Sequence, residues 1–234
     1  MPVIDIHTHM LSDTWLKRIQ DIGGPEYSVK ALKGQDVIHM HNAPLMTLTP
    51  GMFDFDLRIE NMDKAGVDIA VVSLTCPSAY WGGEEASLQT SKLMNDYFAE
   101  QQTIYPDRIR WFTTLPWQYP ALAVAELERA HQAGAVGVFV SANVAGLSLT
   151  DPLLAPIWAA IDAKAQPVLV HPGAPPGVGE MDVQRFNLTA SVGFLFDTTL
   201  ALSRMIYDGF FDTYKKLKII ASHGGGYLPY MIGR

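Results

Sequence analysis

The stretch LKIIASHGGG, residues 217–226, decides the fold. A β-branched, apolar run ends in a histidine and three glycines, which reads as a buried strand running into a loop. The same arrangement recurs upstream. Strand candidates are VIDIH (3–7), DIAVVSL (68–74), IRWFTTL (109–115), VGVFV (136–140) and PVLVH (167–171), with LKIIASH (217–223) as the sixth. Several are apolar almost throughout, as strands covered on both faces must be. Helical patterns alternate with them at 56–66, 85–105, 121–134, 151–165 and 191–214. Strand and helix in strict alternation predict βα units around a parallel sheet.

Residues 10–55 break the rhythm with four glycines and three prolines and no clear period. They read as an insertion after the first strand, partly helical and lying over the end of the sheet. The fingerprint G-x-G-x-x-G is absent after the first strand, which removes the usual dinucleotide-binding reading. Six βα strands in series fit an α/β fold in one domain over 1–234, either a doubly wound sheet or most of a (β/α)8 barrel; the family resemblance carried by the motifs below implies the second, a distorted (β/α)8 TIM-like barrel. A complete barrel takes about 250 residues, so strands 1–6 are expected in this chain and strands 7–8 are expected to be missing.

Of 234 residues, 48% are hydrophobic and 18% charged, a balance that suits a well-buried globular chain. The net charge of −7 comes without any basic cluster, which argues against a nucleic-acid partner. No apolar run is long enough to span a membrane, and MPVIDI does not resemble a secretion leader. A single cysteine, Cys76, leaves no intramolecular disulfide and fits the reducing cytoplasm.

The chemistry lies in the histidines. In DIHTHM, His7 and His9 are two residues apart, so an extended strand points both imidazoles to one side. An H-x-H alone is weak, but His171 and His223 also end apolar strands. Four of the seven histidines therefore fall at C-terminal strand ends, where barrel sites are built. Clustered imidazoles suit a divalent metal, zinc above all and manganese next. Asp5 shares the parity of His7 and His9. It is expected either to orient a ligand imidazole or to pair with another buried donor. His131 reads as structural, in the last turn of a helix. His39 and His41 lie in the insertion and read as substrate-facing or solvated.

DIHTH near the N-terminus, VHP at 170–172, AYWGGEE at 79–85 and SHGGGYLPYMIGR at 222–234 resemble the amidohydrolase superfamily. Within it they resemble the metal-dependent decarboxylase branch, the aminocarboxymuconate semialdehyde decarboxylase-like (amidohydrolase-2) enzymes. The resemblance implies that His7, His9 and His171 bind one divalent metal, with a further aspartate ligand beyond residue 234. It implies that His223 handles protons as the catalytic residue. It also implies that Arg234 reaches a neighbouring subunit to bind substrate carboxylate, so that the protein is a homodimer or a higher homo-oligomer. Trp81, within AYWGGEE, is expected at the substrate. His39 and Asn42 stand where the resemblance implies arginines that grip carboxylates, which argues against a dicarboxylate muconate substrate. The expected activity is decarboxylation of a small unsaturated or aromatic carboxylic acid. Hydrolysis of a lactone, ester or amide on the same site is the alternative. An inactive barrel scaffold or binding module comes third.

Overall fold

The computed structural model describes residues 1–41, 43–175, 177, 182 and 185–233, with the side chain of residue 185 excluded. The elements run β1 (Ile4–His9), α1 (Asp13–Ile22), β2 (Tyr27–Leu32), β3 (Gln35–Met40), β4 (Ala43–Thr47), α2 (Phe55–Ala65), β5 (Ile69–Ser73), α3 (Gly83–Ile104) and β6 (Ile109–Thr113). There follow α4 (Pro120–Gln132), β7 (Gly137–Ser141), the small ladder β8 (Asn143–Val144) with β9 (Leu147–Ser148), α5 (Ala155–Lys164), β10 (Pro167–His171), α6 (Phe194–Tyr207), α7 (Phe210–Thr213), β11 (Lys218–Ala221) and α8 (Leu228–Met231).

All six expected strands form one parallel sheet in the order β1-β5-β6-β7-β10-β11. Period-two alternation divides its side chains between two faces. Val138 and Val140 of β7, with Val168 and Val170 of β10, pack outward against the helices around Trp117, Trp158 and Leu127. Ala70, Val72, Ile109 and Trp111 do the same for β5 and β6, against Trp15, Met94 and Phe98. The intervening residues Val71, Phe112, Phe139 and Leu169 form a separate inner cluster. The sheet is curled around that cluster. Although β1 and β11 stand at opposite ends of the strand order, the rings of His7 and His223 come to 4.9 Å between centroids. The six strands thus form a curled parallel sheet, with the outward Ile4 and Ile6 of β1 still 47% and 42% exposed.

The insertion holds the helix α1, and beyond it residues 27–47 form an antiparallel three-stranded sheet, β2-β3-β4, that the sequence did not announce. Its first hairpin turns through Lys33 and Gly34, both at positive φ, between the paired residues Leu32 and Gln35. That two-residue turn matches strand twist and is normally announced by Asn-Gly or Asp-Gly. With lysine in the first position the signal was hidden.

Candidate metal centre

Inner parity brings the chemistry to one end of the sheet. Below it sit the apolar Val71, Phe139 and Leu169; one step up each strand come Ser73, Ser141 and His171. His9 is the register partner of Ser73, and His171 that of Ser141. His7, His9, His171 and His223 form a quartet, with ring centroids 4.5 Å apart for His9–His171, 5.1 Å for His7–His9 and 5.2 Å for His7–His171. His7, His171 and His223 each offer a nitrogen within 4.8 Å of the others.

The backbone after β11 explains the three glycines. His223, Gly224, Gly225 and Gly226 all have positive φ, from +51° to +82°. Such a run is open to glycine and strained for other residues. At Gly226 a Cβ would also meet the Leu195 carbonyl at 2.5 Å. The turn holds His223 at the exposed rim while its strand stays paired with β10.

The tautomers follow from the hydrogen bonds. His9 Nδ1 lies 3.2 Å from the Leu74 carbonyl and 3.0 Å from Ser73 Oγ. His171 Nδ1 lies 2.9 Å from the Pro172 carbonyl. A carbonyl only accepts, so each Nδ1 carries the proton and each Nε2 is bare when the ring is neutral. The two Nε2 atoms face one another at 3.1 Å. Burial favours the neutral rings. It pulls the pKa of His9 down to about 3, with His7 adding to the shift, and holds His171 well below its usual value. His7 is lowered by burial against the opposing charge of Asp5, and His223 by burial and then by His7.

Two lone pairs aimed at each other across 3.1 Å repel unless a cation lies between them. Nitrogens bound to one ion at about 2.0–2.1 Å stand roughly 2.8–3.4 Å apart across octahedral to tetrahedral angles. The backbone acceptors on Nδ1 are the partners that metal-binding imidazoles usually have. The residues fit a divalent metal.

These depressed pKa values predict a pH effect on metal-free protein. Each histidine binds its proton more readily unfolded, near pH 6.5, than folded. Stability is therefore intact above about 6.5 and falls as the pH drops toward the folded values, reaching about 3 for His9. The slope is roughly 1.4 kcal/mol per pH unit for each of His9 and His171 in that window. Asp197, whose carboxyl is raised to about 6 by burial, works the other way, with stability gained below pH 6, but it is one group against several. Thermal melts of chelator-treated protein should drop by several degrees between pH 7 and 5. A level or rising midpoint contradicts the assignment.

The other expected site residues are placed as follows. The Asp5 carboxylate accepts the backbone N–H of His7 at 3.1 Å and does not take an imidazole proton there. Trp81 is 3% exposed, packed in the core with its indole N–H on the Ser78 carbonyl at 3.1 Å. Ser78 adopts φ +57°, and the loop turns so that Tyr80 faces the mouth instead, its hydroxyl accepting the Ser141 N–H at 3.3 Å. His39 is likewise turned from the mouth: it is buried in β3 with Nδ1 on the Val37 carbonyl at 3.0 Å, and its neighbour Met40 lines the cavity. Asn42 and Arg234 lie outside the described residues. The cavity, about 620 Å³, shares Ser141 and Gly173 with the rim beside His171 and is walled by Tyr27, Met40, Tyr80 and Leu200.

Sequence reasoning missed three contributors. Ser73 shares the inner parity of Val71 and meets His9. Arg58 donates to the His9 carbonyl at 3.1 Å from α2. Asp197 is buried in α6, and its one signal was an acid inside the apolar run GFLFDTTLAL.

Known proteins share this architecture. The sequence is 30% identical to 2-amino-3-carboxymuconate-6-semialdehyde decarboxylase of Dictyostelium discoideum, over 99% of this chain and 65% of that protein. The chain thus spans just under two thirds of that relative's length. The apo form of IDCase from Metarhizium anisopliae superposes with a TM-score of 0.88 at 26% identity, covering 100% of this chain and 68% of that one. A variant of 5-carboxyvanillate decarboxylase from Novosphingobium aromaticivorans, solved with manganese and 3-methoxy-4-hydroxy-5-nitrobenzoic acid, superposes with a TM-score of 0.80 at 25% identity, over 100% and 69%. The model of the amidohydrolase family matches residues 4–234, almost the whole described sheet, its helices and all four histidines. The chain belongs to the amidohydrolase family.

Proposed function

We propose that this protein is a metal-dependent, non-oxidative carboxy-lyase acting on a small unsaturated or aromatic carboxylic acid. The observation that carries the metal is the pair of bare, buried Nε2 atoms of His9 and His171 at 3.1 Å. Decarboxylase chemistry is supported by the relatives above, two of which are named as decarboxylases.

In this reading His7, His9 and His171 hold the ion. When bound, the metal supplies Lewis acidity that anchors and polarises oxygen atoms of the substrate. Zinc suits three nitrogen donors, and the manganese of the Novosphingobium structure makes it the second choice. His223, exposed at the rim, transfers a proton to the carbon that bears the carboxylate. The carbon–carbon bond then breaks, its electron pair returns to the π-system, and carbon dioxide leaves. His223 recovers its proton from solvent. Tyr27, Tyr80, Met40 and Leu200 shape an apolar enclosure for a planar body.

The curl of the sheet and its likeness to longer relatives support reading it as part of a single (β/α)8 barrel domain. The buried, solitary Cys76 supports a reducing cytoplasmic setting. The resemblance at Arg234 supports a homo-oligomer. No helix among the described residues is long and apolar enough to cross a membrane.

Metal-loaded protein offered a panel of hydroxybenzoates and unsaturated acids should release carbon dioxide and the product lacking the carboxylate. Conversion of lactones, esters or amides to an acid plus an alcohol or amine would replace this reading with the hydrolase. No turnover of either panel by loaded protein would leave a binding scaffold.

A further inference from the structure

His171 owes its fixed tautomer to the Pro172 carbonyl, and that carbonyl belongs to a peptide unit held from its other side. The same Pro172–Gly173 peptide presents its N–H to the carboxylate of Asp197, with Gly173 N 2.9 Å from Oδ2. The unit is planar. Fixing the N–H in place therefore fixes the direction of the C=O that receives the imidazole proton. Asp197 is 2% exposed and comes from α6, an element that carries none of the four histidines.

The carboxylate is itself anchored. Asn143 Nδ2 donates to both of its oxygens at 3.1 Å and to the Ala174 carbonyl at 3.1 Å. Asn143 Oδ1 in turn accepts the Gly146 N–H at 3.0 Å. The loops after β7 and β10 are thus pinned to one buried anion. Hydrogen bonds in series polarise one another in a low-dielectric interior. Negative charge at Asp197 strengthens Pro172 as an acceptor, which makes the Nε2 lone pair of His171 a better donor to a metal.

We propose that Asp197 is the positioning residue of the metal centre, acting on His171 through the Pro172–Gly173 peptide as a carboxylate–peptide–imidazole relay, with Asn143 as its anchor. This rests on the metal reading given under Proposed function. The relay does for His171 what a direct carboxylate partner does for many metal-binding histidines. Asp197, Asn143 and Gly173 also line the cavity, but the role assigned here runs through His171, which makes Asp197 a positioning residue.

The test is Asp197→Asn in the full chain, which keeps the shape and removes the charge. Zinc and manganese affinity, measured by competition with a chromophoric chelator, should fall about 10- to 100-fold. In metal-free, 15N-histidine-labelled protein the Nδ1–H proton of His171, assigned by its loss in His171→Gln, should move upfield. A matched control is Glu126→Gln. Glu126 is 2% exposed and accepts from Asn95 at 2.6 Å and from Arg129 at 2.8 Å, in a network between α3 and α4. It should lower the melting temperature and leave metal affinity and the His171 resonance unchanged.

Equal affinity loss in both variants would reduce Asp197 to a general structural role and overturn the relay. So would an Asp197→Asn protein with wild-type affinity and an unmoved resonance. If Asp197→Asn does not fold, Asn143→Ala should show a smaller loss and shift in the same direction, and no change there also overturns the relay. Failure of the wild type to bind either metal would sink the metal centre, while the resonance still decides the relay.

Discussion

His171→Ala is expected to strip the protein of metal and of turnover together. His171 is 4% exposed, and its Nε2 is the one that faces His9. Removing it leaves His9 with a bare nitrogen and no opposing donor, so the ion loses a ligand and the pair that shapes its seat. Loss of a supporting partner alone typically costs 10- to 100-fold in affinity; loss of the ligand should exceed about 100-fold. Metal analysis after gel filtration reads this directly, and His9→Ala should behave alike. Stoichiometric metal in either variant contradicts the assignment. The metal-free variant should also lose part of the acid sensitivity of the parent, because one buried imidazole no longer resists protonation.

His223→Gln separates the two jobs within the quartet. His223 has a nitrogen within 4.8 Å of those of His7 and His171, so proximity alone would admit it as a ligand. Its setting differs from theirs. It is exposed, stands in a strained left-handed turn, and follows the strand end instead of occupying it. Backbone strain of this kind concentrates at working sites, and exposure is what a group exchanging protons with solvent requires. Turnover should fall about 10²- to 10⁴-fold, the usual contribution of a general acid or base, with metal content nearly unchanged. Metal lost in proportion to turnover would make His223 a ligand and reopen the choice of proton donor.

The fold was legible where strand and core followed one rule. In β5, β6, β7 and β10 the sheet is covered by helices outside and packed on itself inside, so apolar runs marked the strands. The histidines were legible for a related reason: a polar residue that ends such a run has to face the mouth. The insertion was not, because β2 and β3 pair through Lys33–Gly34, and side chains such as Lys30 and Asp36 obscure the alternation. Trp81 was expected at the substrate, but the loop after β5, with Ser78 at φ +57°, packs it in the core and brings Tyr80 to the cavity, and no local pattern encodes that. Asp197 was hidden for a deeper reason. Its partners, Gly173 and Asn143, lie 24 and 54 residues away, and only the packed loops bring them to it.

One ion shared by His9 and His171 underlies the proposed function. Crystals of the protein grown with zinc, measured at the zinc absorption edge, test it most directly. A strong anomalous peak is expected between the Nε2 atoms of His9 and His171, within reach of His7. A peak elsewhere on the protein, or the two rings in direct contact with no anomalous signal between them, would contradict the shared ion.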